Sequence, residues 1–422
     1  MDAPPPIPQI ETPRRESALA PLSEPLFRNL WIAAVISYTG TWMQNTGAAW
    51  LMTSLSSSPL MISLVQAAMS LPVFLVVLPA GALADVVDRR KLLLITQLWM
   101  VVAAAALGLL TIFGMVTPWL LLALTFVLGL GAVMNDPAWQ AITPEVVSSR
   151  NFASGVALNS AGYNIARAIG PALGGLVIAA AGSAAAFLLN ALSFFGVIFF
   201  LSRWRRPQIE LPAQRISAAL RDGLTHLRES FIVRSVLVRT AVFSFFASAF
   251  LALLPLIARP FGAIGFGILL ACFGIGAMLG AALLPRLRHA RSPDAVIVGG
   301  TLLFALASFA LGLGLVFWLL CVLCLVAGIG WLQIIACLNV SAQTMSPAWV
   351  RARAISMYIL VLQGGMAAGS TTWGAVASRN SIEVALLAAA CGLVLGLAAI
   401  PRYRLAGINI PATPAAEGRL NG

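Results

Sequence analysis

Residues 81–91 read GALADVVDRRK. More than twenty uncharged residues precede them, and another long apolar run follows. Two aspartates, two arginines and a lysine therefore crowd into seven residues of an otherwise greasy chain. The length of the flanking runs sets the class. A helix that crosses a membrane needs about 20 mostly apolar residues, because the hydrocarbon is about 30 Å thick and a helix rises about 1.5 Å per residue. Such runs recur through the 422 residues, which are 60% hydrophobic and 9% charged; a soluble protein carries about 25% charged residues. The alternation of a β-barrel is absent. The chain reads as an all-α membrane protein.

Working outward, apolar runs set against charges and turns predict twelve transmembrane helices, at approximately 28–54, 59–84, 92–114, 117–142, 153–180, 184–203, 238–258, 263–285, 294–314, 316–341, 353–376 and 382–401. Very short links, such as GMVTP (114–118) and AGSA (181–184), force neighbours antiparallel. The net charge of +12 does not indicate nucleic acid, because the cations recur between apolar runs instead of forming one patch. One set of connections holds Arg89, Arg90, Lys91, Arg150, the cluster from Arg203 to Arg234, Arg286, Arg288, Arg291, Arg351 and Arg353; the opposite set holds Arg259 and Arg379. The positive-inside rule then puts both termini in the cytoplasm of a multi-pass protein of the inner (plasma) membrane.

Residues 1–26 are proline-rich, lack the apolar region of a signal peptide and read as a disordered cytoplasmic tail. Residues 402–422 read likewise. Residues 204–237 are the one long polar connection, either a helix lying on the membrane face or a solvated linker. They divide a six-helix bundle at 27–203 from another at 238–401. GALAD at 81 is matched by GAALLPRLR at 280, and TPEVVSSRNFASGVALNS at 143 by MSPAWVRARAISMYILVL at 345. Pseudo-symmetric halves of this kind are a transporter signature, with substrate bound near mid-membrane between them.

Catalytic and cofactor chemistry find no foothold. The histidines, His226 and His289, fall in connections, and there is no phosphate-binding loop. Five cysteines lie within apolar runs; Cys321 and Cys324 form a CxxC, but nothing completes a metal site, so they read as small buried hydrophobes. Neither an enzyme nor a cofactor is expected.

GALADVVDRRK resembles the loop between spans two and three of the major facilitator superfamily. Gly81, Leu83, Asp85, Arg89 and Arg90 match that loop, and Asp88 replaces a glycine. Together with AAWLMTSL, LNSAGYNIARAIGPALGG, ALLPLIAR, GFGILLACFGIGAMLGA and WVRARAISMY, it is similar to the subgroup of the enterobactin exporter and the transmembrane secretion effectors, over residues 23–402. The resemblance implies that Gly81, Asp85, Asp88, Arg89 and Arg90 form a conformational latch. Asp85 would face the start of span eleven, whose N-terminus carries about half a positive charge. Arg89 and Arg90 would pair with nearby acids or meet anionic headgroups. Topology alone accounts for Lys91 but not for the acids.

Span one places Ser37, Tyr38, Thr41, Trp42, Gln44 and Asn45 on one arc, either a cavity wall or an interhelical hydrogen-bonding face. In span five, Ser160, Asn164, Arg167, Pro171 and Gly174 share a face. An arginine at that depth costs about 2.5–3.5 kcal/mol even on low scales, so it needs a partner or water. Gly170, Pro171, Gly174 and Gly175 resemble the antiporter motif of facilitator exporters, with Ala166 where its first glycine would be. Asp136, beside Pro137 in span four, is a proton carrier, or else it ends the helix at the interface and stays charged. The expected function is proton-coupled export of a small amphipathic or siderophore-like molecule by a monomer. A lipid or lysolipid facilitator, with membrane lipids as partners, is the alternative, and a non-transporting scaffold the third reading.

Overall fold

The structure is a computed structural model that describes residues 18–204, 231–344, 351–399 and 402–405. All regular structure among them is helical: α1 Pro25–Leu55, α2 Pro59–Val86, α3 Arg89–Ile112, α4 Pro118–Val146, then one stretch Phe152–Arg203, followed by α7 Phe231–Ile257, α8 Gly262–Ala290, α9 Pro293–Leu311, α10 Phe317–Thr344, α11 Arg351–Arg379 and α12 Ile382–Gly396. The stretch Phe152–Arg203 breaks at Gly182 (φ 79°, ψ 170°), and its limbs, 152–181 and 183–203, are α5 and α6. That φ is open to glycine at little cost, which is why so short a link as AGSA reverses the chain.

Local chemistry places these boundaries. Pro25, Pro59, Pro118 and Pro293 stand in the first turns of their helices, where a missing N–H is harmless. Asp88, Thr117, Ser292 and Ser381 accept hydrogen bonds from the backbone N–H three residues on. The Asp88 cap gives a local reason for an acid where the resembling loop has glycine. Several helices run past their apolar cores: α4 ends at Val146, α8 at Ala290, and α7 begins at Phe231, inside the stretch expected to be connection. Long cationic side chains at such ends keep their heads in water while the backbone remains helical.

Among the described residues, nine helical stretches are long and apolar enough to cross a membrane. The α1 helix has the length, 31 residues, but its polar arc keeps it out of that set. The α12 helix is apolar but has 15 residues, and α5 with α6 enters as one stretch.

Packing is mostly within each half of the chain. The α1 helix lies against α5 and α6, α2 against α4, α8 against α10, and α7 against α11; across the halves, α5 meets α8 and α2 meets α11. The end that holds Pro25 and Arg351 is called the near end below, the opposite one the far end. Near-end straps are polar. Glu24 accepts from Ser148 N (3.0 Å), Ser148 Oγ (2.7 Å) and Asn151 Nδ2 (2.8 Å). Arg239 pairs with Asp294, which also accepts from the backbone N–H of Leu405.

Candidate functional site

A cavity of about 550 Å³ lies between the two halves of the chain, lined by all six helices of the first half, α1 to α6, and by α7, α8, α10 and α11 of the second. That size suits a small molecule, since ligand pockets run about 300–1,000 Å³. Its far end is shut by close contacts across the halves. A Cβ built on Gly175 would sit 2.6 Å from the Ala263 carbonyl oxygen; one on Gly267 would sit 2.6 Å from that of Pro171. Leu60 N donates to Ser378 Oγ (2.9 Å), and Trp50 stacks on Phe266 with ring centroids 6.0 Å apart. Arg259 Nη2, from the second half, donates to the carbonyls of Thr53 (2.7 Å) and Ser56 (2.8 Å) at the C-terminus of α1. A cation is favoured there by the exposed carbonyls of a helix end. Arg259, one of two exceptions to the charge asymmetry, thus has a far-end role. The α5–α8 contact persists to Ala168 and Gly274. Beyond it, towards the near end, the flanks turn outward: Phe152, Val156, Ser160, Tyr163 and Asn164 on α5, and Met278, Leu279 and Leu283 on α8, are exposed.

Of the residues singled out in span one, Ser37, Tyr38, Thr41, Trp42 and Asn45 line the cavity. Gln44 does not. It is buried and accepts a hydrogen bond from Asn190 Nδ2, tying α1 to α6. Both readings of the arc therefore apply, to different residues. A hydrogen bond of this kind in a membrane contributes about 0.6–2 kcal/mol.

Arg167 and Pro171 also line the cavity. The Arg167 guanidinium lies over the Trp42 ring, 5.7 Å from its centroid. Tyr163, one turn earlier, packs edge-on to Tyr38 (5.3 Å) and to Trp42 (6.3 Å). Ser160 and Asn164 depart from expectation: both are exposed but lie outside the cavity lining, and Asn164 Nδ2 donates to the Ser160 carbonyl (2.8 Å). A helical face spans the whole thickness, whereas the cavity reaches only part of it.

Asp136 opens onto the cavity from α4 and is exposed there. No ion pair joins it to Arg167 among the described residues. Tyr163 lies within electrostatic reach of both, and Tyr38 within reach of Asp136. Beside them, Asn135 Oδ1 accepts from Gln97 Nε2 (3.1 Å) and Thr96 Oγ1 (3.3 Å), a buried polar knot between α3 and α4. The opposite wall is mostly apolar, with Leu251, Phe266, Leu270, Phe273 and Trp331, and carries one amide, Gln363.

The glycines of the antiporter-like motif are seats for helices. A Cβ on Gly170 would sit 3.2 Å from the Thr39 carbonyl oxygen, and one on Gly174 would sit 3.0 Å from Met43 Cα; these two admit α1, and Gly175 admits α8. Ala166 is fully buried.

In the loop that opened the reading, Arg89 pairs with Glu145 (2.9 Å) and donates to the Ala141 carbonyl (3.2 Å). Arg90 donates to the carbonyls of Leu201 (2.8 Å) and Ser202 (2.6 Å) at the end of α6. These contacts stay within the first half, so both arginines brace α3 there, through a nearby acid and a helix C-terminus. Gly81 and Asp85 belong to α2, but their side chains lie outside the described residues, as do residues 345–350 ahead of α11. Tyr163, Gln66, Gln97 and Asn135 line the site without having been singled out. Tyr163 stands four residues before Arg167 and was legible by that spacing; the amides carried no local signal.

A family model described as transmembrane secretion effector matches residues 16–417. The enterobactin exporter EntS of Shigella flexneri is 26% identical, over 90% of this chain and 94% of its own. The staphyloferrin A transporter of Staphylococcus aureus is 23% identical, over 67% and 71%. Among solved structures, an auto-inhibited POT family peptide transporter superposes with a TM-score of 0.75 at 15% identity, covering 92% of this chain and 99% of that one.

Proposed function

We propose, from the premise that the chain belongs to the transmembrane secretion effector family of major facilitator superfamily transporters, that it is a proton-coupled exporter of a small amphipathic or siderophore-like molecule. The family is one of transporters of small molecules, a non-enzyme class in the inner membrane. Twelve spans in two pseudo-symmetric six-helix bundles, with both termini cytoplasmic, complete the reading. The nine long apolar stretches support that count once α1, α12 and the division at Gly182 are added. With that orientation the far end, closed by the α5–α8 and α2–α11 contacts, faces outward, which suits an inward-facing state. Alternating access then consists of opening the far-end contacts and closing the near end, with the latch at Asp85 engaged only when the near end is shut.

The observation that carries the proposal is a cavity wall on which Arg167 and Asp136 stand apart, each without an ion pair among the described residues. Arg167 offers a planar fork of donors to anionic oxygens, the groups with which siderophores bind iron. Asp136 opens onto the same space and can exchange a proton with it. Two sites in one cavity allow proton and substrate to alternate. The relatives described as an enterobactin exporter and a staphyloferrin A transporter favour a siderophore-like cargo. The apolar opposite wall favours one other reading, a lipid or lysolipid facilitator.

The test uses purified protein in liposomes enclosing a pH-sensitive dye, given enterobactin, staphyloferrin A or a lysophospholipid. Proton flux that needs a siderophore and disappears in Asp136→Asn is the expected result. Lysophospholipid movement without proton flux would favour the facilitator. Protein that reconstitutes in folded form yet moves none of the three would overturn export.

A further inference from the structure

The contact between α8 and α10 places thiols on opposite sides of a seam where glycines let the two backbones meet. A Cβ on Gly280 would sit 2.8 Å from the Ile329 carbonyl oxygen, and Gly276 faces Leu325 just as closely. Both pairs are 49 residues apart in sequence, and the two helices run in the same direction away from the far end. One turn earlier on each, the same register sets Cys272 opposite Cys321. By that register the two thiols are neighbours across the seam. Cys272 is half-buried and Cys321 buried.

We propose that Cys272 and Cys321 are an oxidisable pair that closes a disulfide staple between α8 and α10, with a quinone dissolved in the bilayer as electron acceptor. Two S–H bonds break and one S–S bond forms. The two protons and two electrons reduce the quinone to its quinol, so the step balances without water or metal. The geometry suits the bond, which needs Cα atoms about 4.4–6.8 Å apart; glycine-mediated contact of two helix backbones brings opposed residues that close. Half-buried Cys272 is the thiol an oxidant in the membrane reaches. Cys321 lies one turn into α10 from the far end, the oxidising side if the termini are cytoplasmic. Cys324 shares the α10 face but is fully buried and one turn out of register. The staple would join two helices that both line the cavity, through Phe273 on α8 and Trp331 on α10. It does not depend on what the cavity carries.

The experiment incubates the full chain in liposomes with decylubiquinone under argon, denatures it, counts free thiols and maps cross-linked peptides by mass spectrometry. The chain has five cysteines, and two thiols are expected to disappear, to be found as a Cys272–Cys321 peptide pair and to return with dithiothreitol. Cys272→Ser and Cys321→Ser are each expected to keep every remaining thiol, while Cys324→Ser still loses two. The peptide map of the unaltered chain decides the matter even if a variant folds poorly. Five thiols surviving incubation would overturn the proposal, and so would a bond through Cys324 or between chains through Cys391.

Discussion

Arg167 costs more to hold inside a membrane than its contact with the Trp42 ring returns. A buried cation over an aromatic ring gains about 0.5–2 kcal/mol, against a penalty of about 2.5–3.5 kcal/mol on low scales. The remainder is left to cavity water or to an anionic substrate, and the proposed export assigns it to the substrate. Arg167→Ala is expected to lower export at least roughly tenfold at unchanged protein level, the loss of about 1.4 kcal/mol or more of binding. Lysine should restore only part, lacking the planar fork over Trp42. Initial export rates, corrected for the amount in the membrane, check this; wild-type rates in Arg167→Ala would remove it from the site. A second residue answers to pH. Hydrogen bonds from Asn151 and Ser148 hold the Glu24 carboxyl below its ordinary value of 4.5. Its stabilisation is therefore present above that value and is lost as pH falls through the lowered folded one. The protection factors of amides in residues 18–24 are expected to fall over that acidic window, and Glu24→Gln should show the lower protection already at neutral pH. Equal protection in the variant across the range would mean the strap owes nothing to the carboxylate.

At the level of elements, the far-end closure depends on backbone meeting backbone at Gly175 and Gly267. On the alternating-access reading that contact between the halves belongs to one conformation, whereas Gly170 and Gly174 seat α1 within a half and persist. Gly175→Val is thus expected to disfavour this closed far end without unfolding the chain, because the clash is relieved when the halves part. A cysteine placed at Ala263 should become several-fold more reactive to a membrane-impermeant maleimide in the Gly175→Val background. Unchanged labelling would show that α5 and α8 do not form the gate. Gly170→Val should behave otherwise, reducing folded protein, since α1 has nowhere to go.

For the whole molecule, the decisive property is which way it points. A reporter active only in the cytoplasm, fused after Gly422, is expected to be active. Activity solely in an outward-facing reporter would reverse the cavity's access and the direction of transport with it. In that frame the proposed latch role of Asp85 predicts that it favours the inward-closed state. Asp85→Asn should raise maleimide labelling at the near-end mouth and slow export at normal protein levels; unaltered labelling and export would reduce Asp85 to ordinary loop polarity.

Hydrophobic runs, prolines at helix starts, glycines at turns and the spacing of cations are local or additive quantities, and so helix positions and the class of the protein were legible in the chain. The family's loop and glycine motifs were legible for the same reason. Which polar residue of a helical arc faces a cavity depends on what the neighbouring helix brings, and spacing is silent about that. Gln44 and Thr41 occupy one arc of α1, yet Asn190 claims the first and the cavity takes the second. Asp136 and Arg167 are opposite in sign and on adjacent spans, a pairing the sequence leaves open; in the structure the α1 aromatics line the site with them, and Trp42 meets the guanidinium. Sequence by itself determined the helices, the seats between them and the kind of protein. Only the tertiary structure decided which end is shut, which residues meet in the cavity and that Cys272 faces Cys321, because those are properties of the register between helices distant along the chain.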